Sequence, residues 1–237
     1  MKKQLLEYSY AQKLAHIPSA LSMLDYVDVL FTHNIVTPDE FIVIGKPFGS
    51  QAYYLVWQKL GYLDNIEKLN VGVKHDEIPF VDYSEETIGN ALGVAIGIAM
   101  TTDKRVWVNL SDAALQMGTV LEAIQFIGQH RLTNIFVTVD YNNAQVTGNV
   151  DEIIKVKPCI QFFKEYGWFV QEVDGHNKPQ LLDKFSNLVH TVPNVVICHT
   201  RKGHGIKSME EDIQKWHYKK IETLNELQSL AAELQDT

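Results

Sequence analysis

The middle of the chain alternates short apolar runs with segments of helical period. Arg105–Leu110 and Asn134–Asp140 are largely apolar runs of strand length, and between them Thr119–His130 has the amphipathic pattern of a helix. Strand, crossover helix, strand is the repeating unit of a parallel sheet, because parallel strands need a long connection. The alternation continues on both sides. Upstream, Phe41–Ile44 reads as a strand and Ser50–Leu60 as a helix closed by Gly61, a residue suited to the left-handed turn at a helix end. Downstream, Pro158–Tyr166 and Pro179–His190 read as helices, and Trp168–Val173 and Asn194–Thr200 as strands. Two amphipathic helices, Leu5–Lys13 and Ala20–Phe31, open the chain and are separated at His16, Ile17 and Pro18. Asn65–Asn70 reads as a helical turn, Val71–Glu85 as a loop over the site, and Lys219–Gln235 as helical again. The pattern predicts an α/β fold with a doubly wound parallel sheet. No repeat, low-complexity run or linker divides it, so residues 1–237 read as one domain, with 219–237 as a carboxyl-terminal helix.

Thr87–Met100 is expected to be a helix with Gly89, Gly93 and Gly97 on one face. Glycine weakens a helix, so this spacing points to close contact, either with the sheet or with another subunit.

At 237 residues the chain can bury one sizeable core, and its formal charge of −8 without a basic stripe argues against nucleic-acid binding. Lys215–Lys220 reads as a solvated helix face. Two cysteines, Cys159 and Cys198, suggest neither a disulfide framework nor a cysteine-rich zinc site and fit a reducing cytoplasm. The amino terminus lacks the apolar core of a signal peptide, and Ile88–Met100 is too short to span a bilayer. A soluble, cytoplasmic protein without a membrane partner is expected.

The candidate chemistry sits where strands end. Asp112 follows the strand Arg105–Leu110, and Asn142 follows the next one, so both enter the crevice at the carboxyl edge of the sheet, where open α/β sheets bind ligands. A carboxylate and an amide oxygen beside phosphate oxygens suit Mg²⁺. Alone, Asp112 reads better as a helix cap, the commonest job for Asp before a helical run; the Asn142 partner is what favours a metal. Gly89 and Asn90 are candidate diphosphate contacts, since main-chain N–H groups entering a helix attract anions. KGHG at Lys202–Gly205 is a weak anion motif without phosphate-loop spacing.

SDAALQMG at Ser111–Gly118 and VDYNNAQVTG at Val139–Gly148 resemble the thiamine-diphosphate signature of transketolase-like enzymes. The resemblance extends over nearly the whole chain. It includes KLAHIPSALS around His16, GKPFGSQAYY at Gly45–Tyr54, ETIGNAL at Glu86–Leu92, the YGW of Tyr166–Trp168, DGHN at Asp174–Asn177, and the run from His199 to Met209 followed by Trp216 and His217. It implies that Asp112, Asn142 and the Ala144 carbonyl hold Mg²⁺ on the diphosphate of thiamine diphosphate. It further implies that Gly89, Asn90, Ser111, Ala113 and His217 contact the cofactor, and that His16 and His75 face the substrate. His176 fits a turn-fixing role, and His204 stands where the family has a lysine.

The same resemblance implies transfer of a two-carbon ketol unit by the amino-terminal subunit of a two-chain enzyme, acting on a sugar or 2-oxo acid. A separate chain would carry the pyrimidine-binding and carboxyl-terminal domains and the glutamate that activates the cofactor, in an α2β2 assembly. This sequence departs from the family pattern at several positions. Phe48 stands at a cofactor-contacting histidine, Ser111 and Ala113 at two glycines, and Met117 at a glutamate. Phe48 and Met117 leave open a 2-oxo acid decarboxylase that forms acyloins, as in branched-sugar synthesis. The lost polar groups also leave open a non-catalytic scaffold or regulatory subunit.

Overall fold

The computed structural model describes residues 1–234. In chain order the first elements are α1 (Lys2–Ala11), α2 (Ile17–Thr32), β1 (Phe41–Ile44), α3 (Gln51–Lys59), β2 (Tyr83–Ser84), α4 (Ala91–Ala99) and β3 (Val106–Ser111). After a short 3-10 turn at Asp112–Gln116 come α5 (Gly118–His130), β4 (Ile135–Tyr141), β5 (Ala144–Gln145), β6 (Gly148–Asn149), α6 (Val150–Ile153) and α7 (Lys157–Glu165). The remainder is β7 (Phe169–Asp174), α8 (Lys178–Ser186), β8 (Asn194–His199), α9 (Lys207–Glu211), α10 (Ile213–Trp216) and α11 (Leu224–Glu233).

Six strands form one sheet in the order β2-β1-β3-β4-β8-β7, with every neighbouring pair parallel. The apolar runs become its centre because both faces are covered, as parallel strands require. In β3, Trp107 joins the core on one side, whereas Val106, Val108 and Leu110 join the core on the other. Phe136 of β4 and Val196 of β8 repeat the alternation against Val137 and Ile197. The first core lies under α2, α3 and α8, the second under α4, α5 and α7.

Helix α2 runs through the molecule, and every residue from Ile17 to Phe31 is buried. Asp28, near its carboxyl end, binds Lys59 of α3 at 2.9 Å and Lys178 of α8 at 2.7 Å. Both lysines are partly exposed, so each pair is worth at most about 1 kcal/mol. Their effect is to orient the helix that His16 precedes and whose first two turns carry Ser19 and Ser22.

Several boundaries differ from the sequence expectation. The glycine helix begins only at Ala91, because the Glu85 carboxylate accepts the Gly89 and Asn90 N–H groups at 3.0 and 2.8 Å and holds them in a turn. Gly89 has φ 128, outside any helix. A Cβ at Gly93 or Gly97 would meet nothing within 4 Å, so contact with the sheet is not why these glycines are there. Asn65–Asn70 contains turns but no helix, and the loop Val71–Glu85 ends in the edge strand β2. Helix α8 stops at Ser186, short of His190. Helix α11 starts after Thr223, whose hydroxyl caps it by accepting from Glu226 N, rather than at Lys219. Gln235 and the rest of the expected 219–237 tail lie outside the described residues. No helix among the described residues is long and apolar enough to cross a membrane.

Candidate active site

The carboxyl ends of β1, β3, β4 and β8 open into one cavity of about 310 Å³. The loop after β1 contributes Lys46 and Phe48, the turn after β3 Ser111, Asp112 and Ala113, and the loop after β4 Asn142 and Ala144. Lys202, beyond β8, and His16, Ser19 and His217 complete the wall. Of the residues expected at the site, His16, Ser111, Asp112, Ala113, Asn142, Ala144 and His217 therefore come together.

Asp112 is 1 % exposed. Its Oδ1 accepts from Ala113 N at 2.8 Å and its Oδ2 from Asn143 N at 2.5 Å. Burial, and then the charge of Asp140, push its carboxyl up to about 7 despite those two hydrogen bonds and the nearby Lys46. Among the described residues its hydrogen bonds come only from main-chain groups, and no positive side chain is in direct contact with the carboxylate. Asn142 is fixed by its amide: Nδ2 donates to Asp140 Oδ2 at 2.9 Å and Ser22 Oγ at 3.1 Å, while Oδ1 accepts from Ala144 N at 3.0 Å. Asp112, Asn142 and Ala144 all line the cavity and can offer it a carboxylate, an amide oxygen and a carbonyl, an all-oxygen donor set. A hard divalent cation fits it and would supply the charge that Asp112 lacks.

Two buried lysines flank that set. Lys46 Nζ pairs with the wholly buried Asp140, which also accepts from Ser22 at 2.8 Å and Thr200 at 2.5 Å. Lys202 Nζ donates to the Ala144 carbonyl at 3.2 Å and to His217 Nδ1 at 3.1 Å. Burial, and then Lys46, lower Lys202 to about 8 against the pull of Asp112 and Asp140. Because an ammonium only donates, His217 Nδ1 accepts and Nε2 carries its proton. Burial, then Lys202 and Lys46, lower His217 to about 4, so the ring is neutral at pH 7.

His16 caps α2 in the left-handed region, φ 56. Its ring stacks on Phe48 at 4.6 Å and meets His217 edge-on at 5.0 Å. Burial first, then His217, Lys202 and Lys46, lower it to about 3. An uncharged imidazole is thus clamped at the cavity mouth.

Three expected residues stand apart from the cavity. His75 is exposed, with its N–H on Ser84 Oγ at 3.1 Å. Gly89 and Asn90 give their amides to Glu85, while their neighbours Glu86, Thr87 and Ile88 line the wall. His176 fixes its turn as expected: Nδ1 meets Asp25 Oδ2 at 3.0 Å, and Nε2 accepts from Arg201 N at 2.9 Å. His204 stacks on His176 at 3.5 Å. Asp25, His176 and His204 lie within metal-binding reach of one another, but both His176 nitrogens are committed, so the cluster is a structural one. Sequence reasoning missed Lys46, Lys202 and Asp140. Lys46 lay in GKPFGSQ and Lys202 in KGHG, segments already singled out, but a lysine is ordinarily exposed and nothing local shows its burial.

The family described as "Transketolase, thiamine diphosphate binding domain" matches residues 96–223. The chain is 26% identical over 240 residues to one of the subunits of the apulose-4-phosphate transketolase of Phocaeicola vulgatus, covering 92% of this chain and 85% of that protein. It is 30% identical over 234 residues to the transketolase of Mus musculus, covering 87% of this chain but 36% of that one. Among solved structures, transketolase from Leishmania mexicana superposes with a TM-score of 0.76 at 18% identity, over 98% of this chain and 43% of that chain. The chain thus spans 36% and 43% of these two longer transketolases.

Proposed function

We propose that this chain, which belongs to the transketolase thiamine diphosphate binding domain family, is the diphosphate-binding subunit of a two-chain enzyme that transfers a two-carbon ketol unit. One observation carries the reading: Asp112, Asn142 Oδ1 and the Ala144 carbonyl share a cavity wall with Lys202 and His217. The oxygens suit Mg²⁺, and the cationic and N–H groups beside them suit a diphosphate.

When bound, thiamine diphosphate supplies a carbon nucleophile that takes up the fragment and passes it to an acceptor. This chain positions it. Asp112, Asn142 and Ala144 would hold the metal, and Lys202 Nζ and His217 Nε2–H would face diphosphate oxygens. Ser111 and Ala113 form the turn beneath, where small side chains keep the main chain approachable. His16 would hydrogen-bond a substrate oxygen without adding charge. Gly89 and Asn90 shape the adjoining wall, and His75 would join only through movement of its loop.

A second chain is expected to supply the pyrimidine-binding and carboxyl-terminal domains and the activating glutamate, in an α2β2 assembly. The relative from Phocaeicola vulgatus is itself named as one subunit of its enzyme. The open face of α4 at Gly93 and Gly97, with Met100 64% exposed beside it, is a surface such a partner could cover. The test is calorimetric titration of thiamine diphosphate into the purified chain with and without Mg²⁺. Metal-dependent binding that disappears in Asp112→Ala is expected; equal binding by the variant refutes the assignment.

The stack of Phe48 on His16 favours a second reading, decarboxylation of a 2-oxo acid with acyloin formation, because an apolar mouth suits a small fragment better than a polyol. With the assembled enzyme, faster transfer from a ketose phosphate than from pyruvate counts against it. The non-catalytic scaffold gives no reason for Asp112, Asn142 and Ala144 to line one cavity beside Lys202.

A further inference from the structure

Four parts of the chain send a donor to one wholly buried carboxylate. Asp140, near the end of β4, accepts from Ser22 Oγ of α2 at 2.8 Å and from Thr200 Oγ1 beyond β8 at 2.5 Å, and it pairs with Lys46 from the loop after β1. Its fourth donor is Nδ2 of Asn142, two residues on, at 2.9 Å. Held from so many sides, the carboxylate cannot swing away. The second Nδ2 proton of Asn142 goes to Ser22 Oγ at 3.1 Å. Both amide protons are therefore spent on buried groups. Turning the amide over would set Oδ1 against a carboxylate that only accepts, and would take Oδ1 from Ala144 N, which it now meets at 3.0 Å. One orientation remains. In it, the only capacity the amide has left is the second lone pair of Oδ1, the kind of group a hard cation takes. The bond from Ala144 N to Oδ1 also closes an Asx-turn, so the same orientation sets the course of the main chain that carries the Ala144 carbonyl.

We propose that Asp140, with Ser22 beside it, is a positioning residue for the metal: it holds Asn142 in the orientation that offers Oδ1, and the fixed geometry selects Mg²⁺ over Ca²⁺. This rests on reading the cavity as a metal-diphosphate site. Ligands oriented by a second layer of hydrogen bonds keep their geometry, and losing that layer costs roughly 10- to 100-fold in metal affinity. Mg²⁺ requires a near-ideal octahedron of close oxygens, whereas the larger Ca²⁺ accepts irregular ones. A loosened Asn142 thus penalises Mg²⁺ more than Ca²⁺. Loss of the Asp140 charge beside Lys46, or of overall stability, weakens the two ions alike, so their ratio isolates the orientation.

The test is calorimetric titration of Mg²⁺ and, separately, of Ca²⁺ into the purified chain with thiamine diphosphate present, for the parent, Asp140→Asn, Ser22→Ala and Asp112→Ala. In Asp140→Asn, Mg²⁺ affinity should fall about 10- to 100-fold and Ca²⁺ affinity clearly less, which lowers the ratio of the two. Ser22→Ala should lower the ratio by a smaller factor, and it decides the matter if Asp140→Asn leaves Lys46 unpaired and fails to fold. A ratio equal to the parent's in the folded variants overturns the proposal. Metal binding by Asp112→Ala as tight as the parent's would show instead that the cavity reading has failed, and the proposal with it. NMR adds a check that needs no metal. The Asn142 side-chain amide pair, identified by its absence from Asn142→Ala, should exchange slowly with water in the parent and faster in Ser22→Ala; fast exchange in the parent also overturns the assignment.

Discussion

Asp112→Asn should make the cofactor-free chain relatively more stable as pH rises from 5 to 7, at the cost of cofactor binding. The carboxyl of Asp112 lies at about 7 in the folded chain against 3.8 as its ordinary value, because it is buried near Asp140. Between those values the folded chain keeps a proton that the unfolded chain has released. The native state therefore binds more protons, and stability falls with rising pH across that window. At about 1.36 kcal/mol per pKa unit the full penalty approaches ~4 kcal/mol, of which roughly 2 accrues between pH 5 and pH 7. Asparagine never ionises and escapes it. It also turns its NH₂ toward one of the two main-chain N–H groups now bound by Asp112, a pH-independent cost of about 1–3 kcal/mol. Comparing the two pH values cancels that cost and isolates the ionisation. Urea unfolding of parent and variant in EDTA should thus show a difference that shifts by roughly 2 kcal/mol in favour of the variant between pH 5 and pH 7. A difference independent of pH would refute the claim that Asp112 waits for a cation. Adding thiamine diphosphate with Mg²⁺ at a hundredfold its Kd should stabilise the parent by about 2.7 kcal/mol and the variant far less.

Glu85→Ala leaves the Gly89 and Asn90 amides without their acceptor and should cost roughly 1–3 kcal/mol in urea unfolding; a loss below about 0.5 would show that water replaces the carboxylate. Phe48→Ala removes the ring stacked on His16 and should raise substrate KM while leaving cofactor affinity within about twofold, since the stack contributes about 1 kcal/mol and a phenyl ring offers no hydrogen bond to a diphosphate. His16 and His217, held at about 3 and about 4, are neutral in the folded chain and protonated in the unfolded one below 6.5. Their contribution is fully present above that value and is lost as pH falls toward 4 and then 3, so His217→Gln should flatten the acid limb of a stability profile. An unchanged limb would place the ring in water.

Local pattern sufficed for the sheet because its strands are buried on both faces, which makes Val106–Leu110 and Ile135–Val139 read as apolar runs whatever surrounds them. It failed where an element depends on one side chain reaching forward along the chain. Residues 87–90 have a helical pattern, yet the Glu85 carboxylate captures the amides of Gly89 and Asn90 and delays α4 to Ala91. The strand β2 has two residues, too few to show a period. At the site, Asp112 and Asn142 were legible because strand ends announce a crevice. Lys46 was not, since its burial is caused by Asp140, 94 positions away.

The place of Lys202 has a consequence for how metal and cofactor bind. Its ammonium now donates to the Ala144 carbonyl, an oxygen that a bound Mg²⁺ would need. Metal entering alone must displace a buried cation and then sit beside it and Lys46, which is unfavourable in a site shielded from water. Diphosphate entering alone brings several negative charges against Asp112 and Asp140, both buried. Arriving together they would solve both problems: Lys202 could turn from the carbonyl to a phosphate oxygen, leaving the Ala144 carbonyl and an ionised Asp112 to hold the metal. Binding should therefore be mutually dependent, with a coupling of about 1–3 kcal/mol, or roughly 5- to 150-fold in affinity. Lys202→Met frees the carbonyl, so Mg²⁺ should bind the cofactor-free variant more tightly than the parent while thiamine diphosphate binds it less tightly. Calorimetric titrations of each ligand with and without the other complete the cycle, and equal Mg²⁺ affinity in the parent with and without thiamine diphosphate would rule the exchange out.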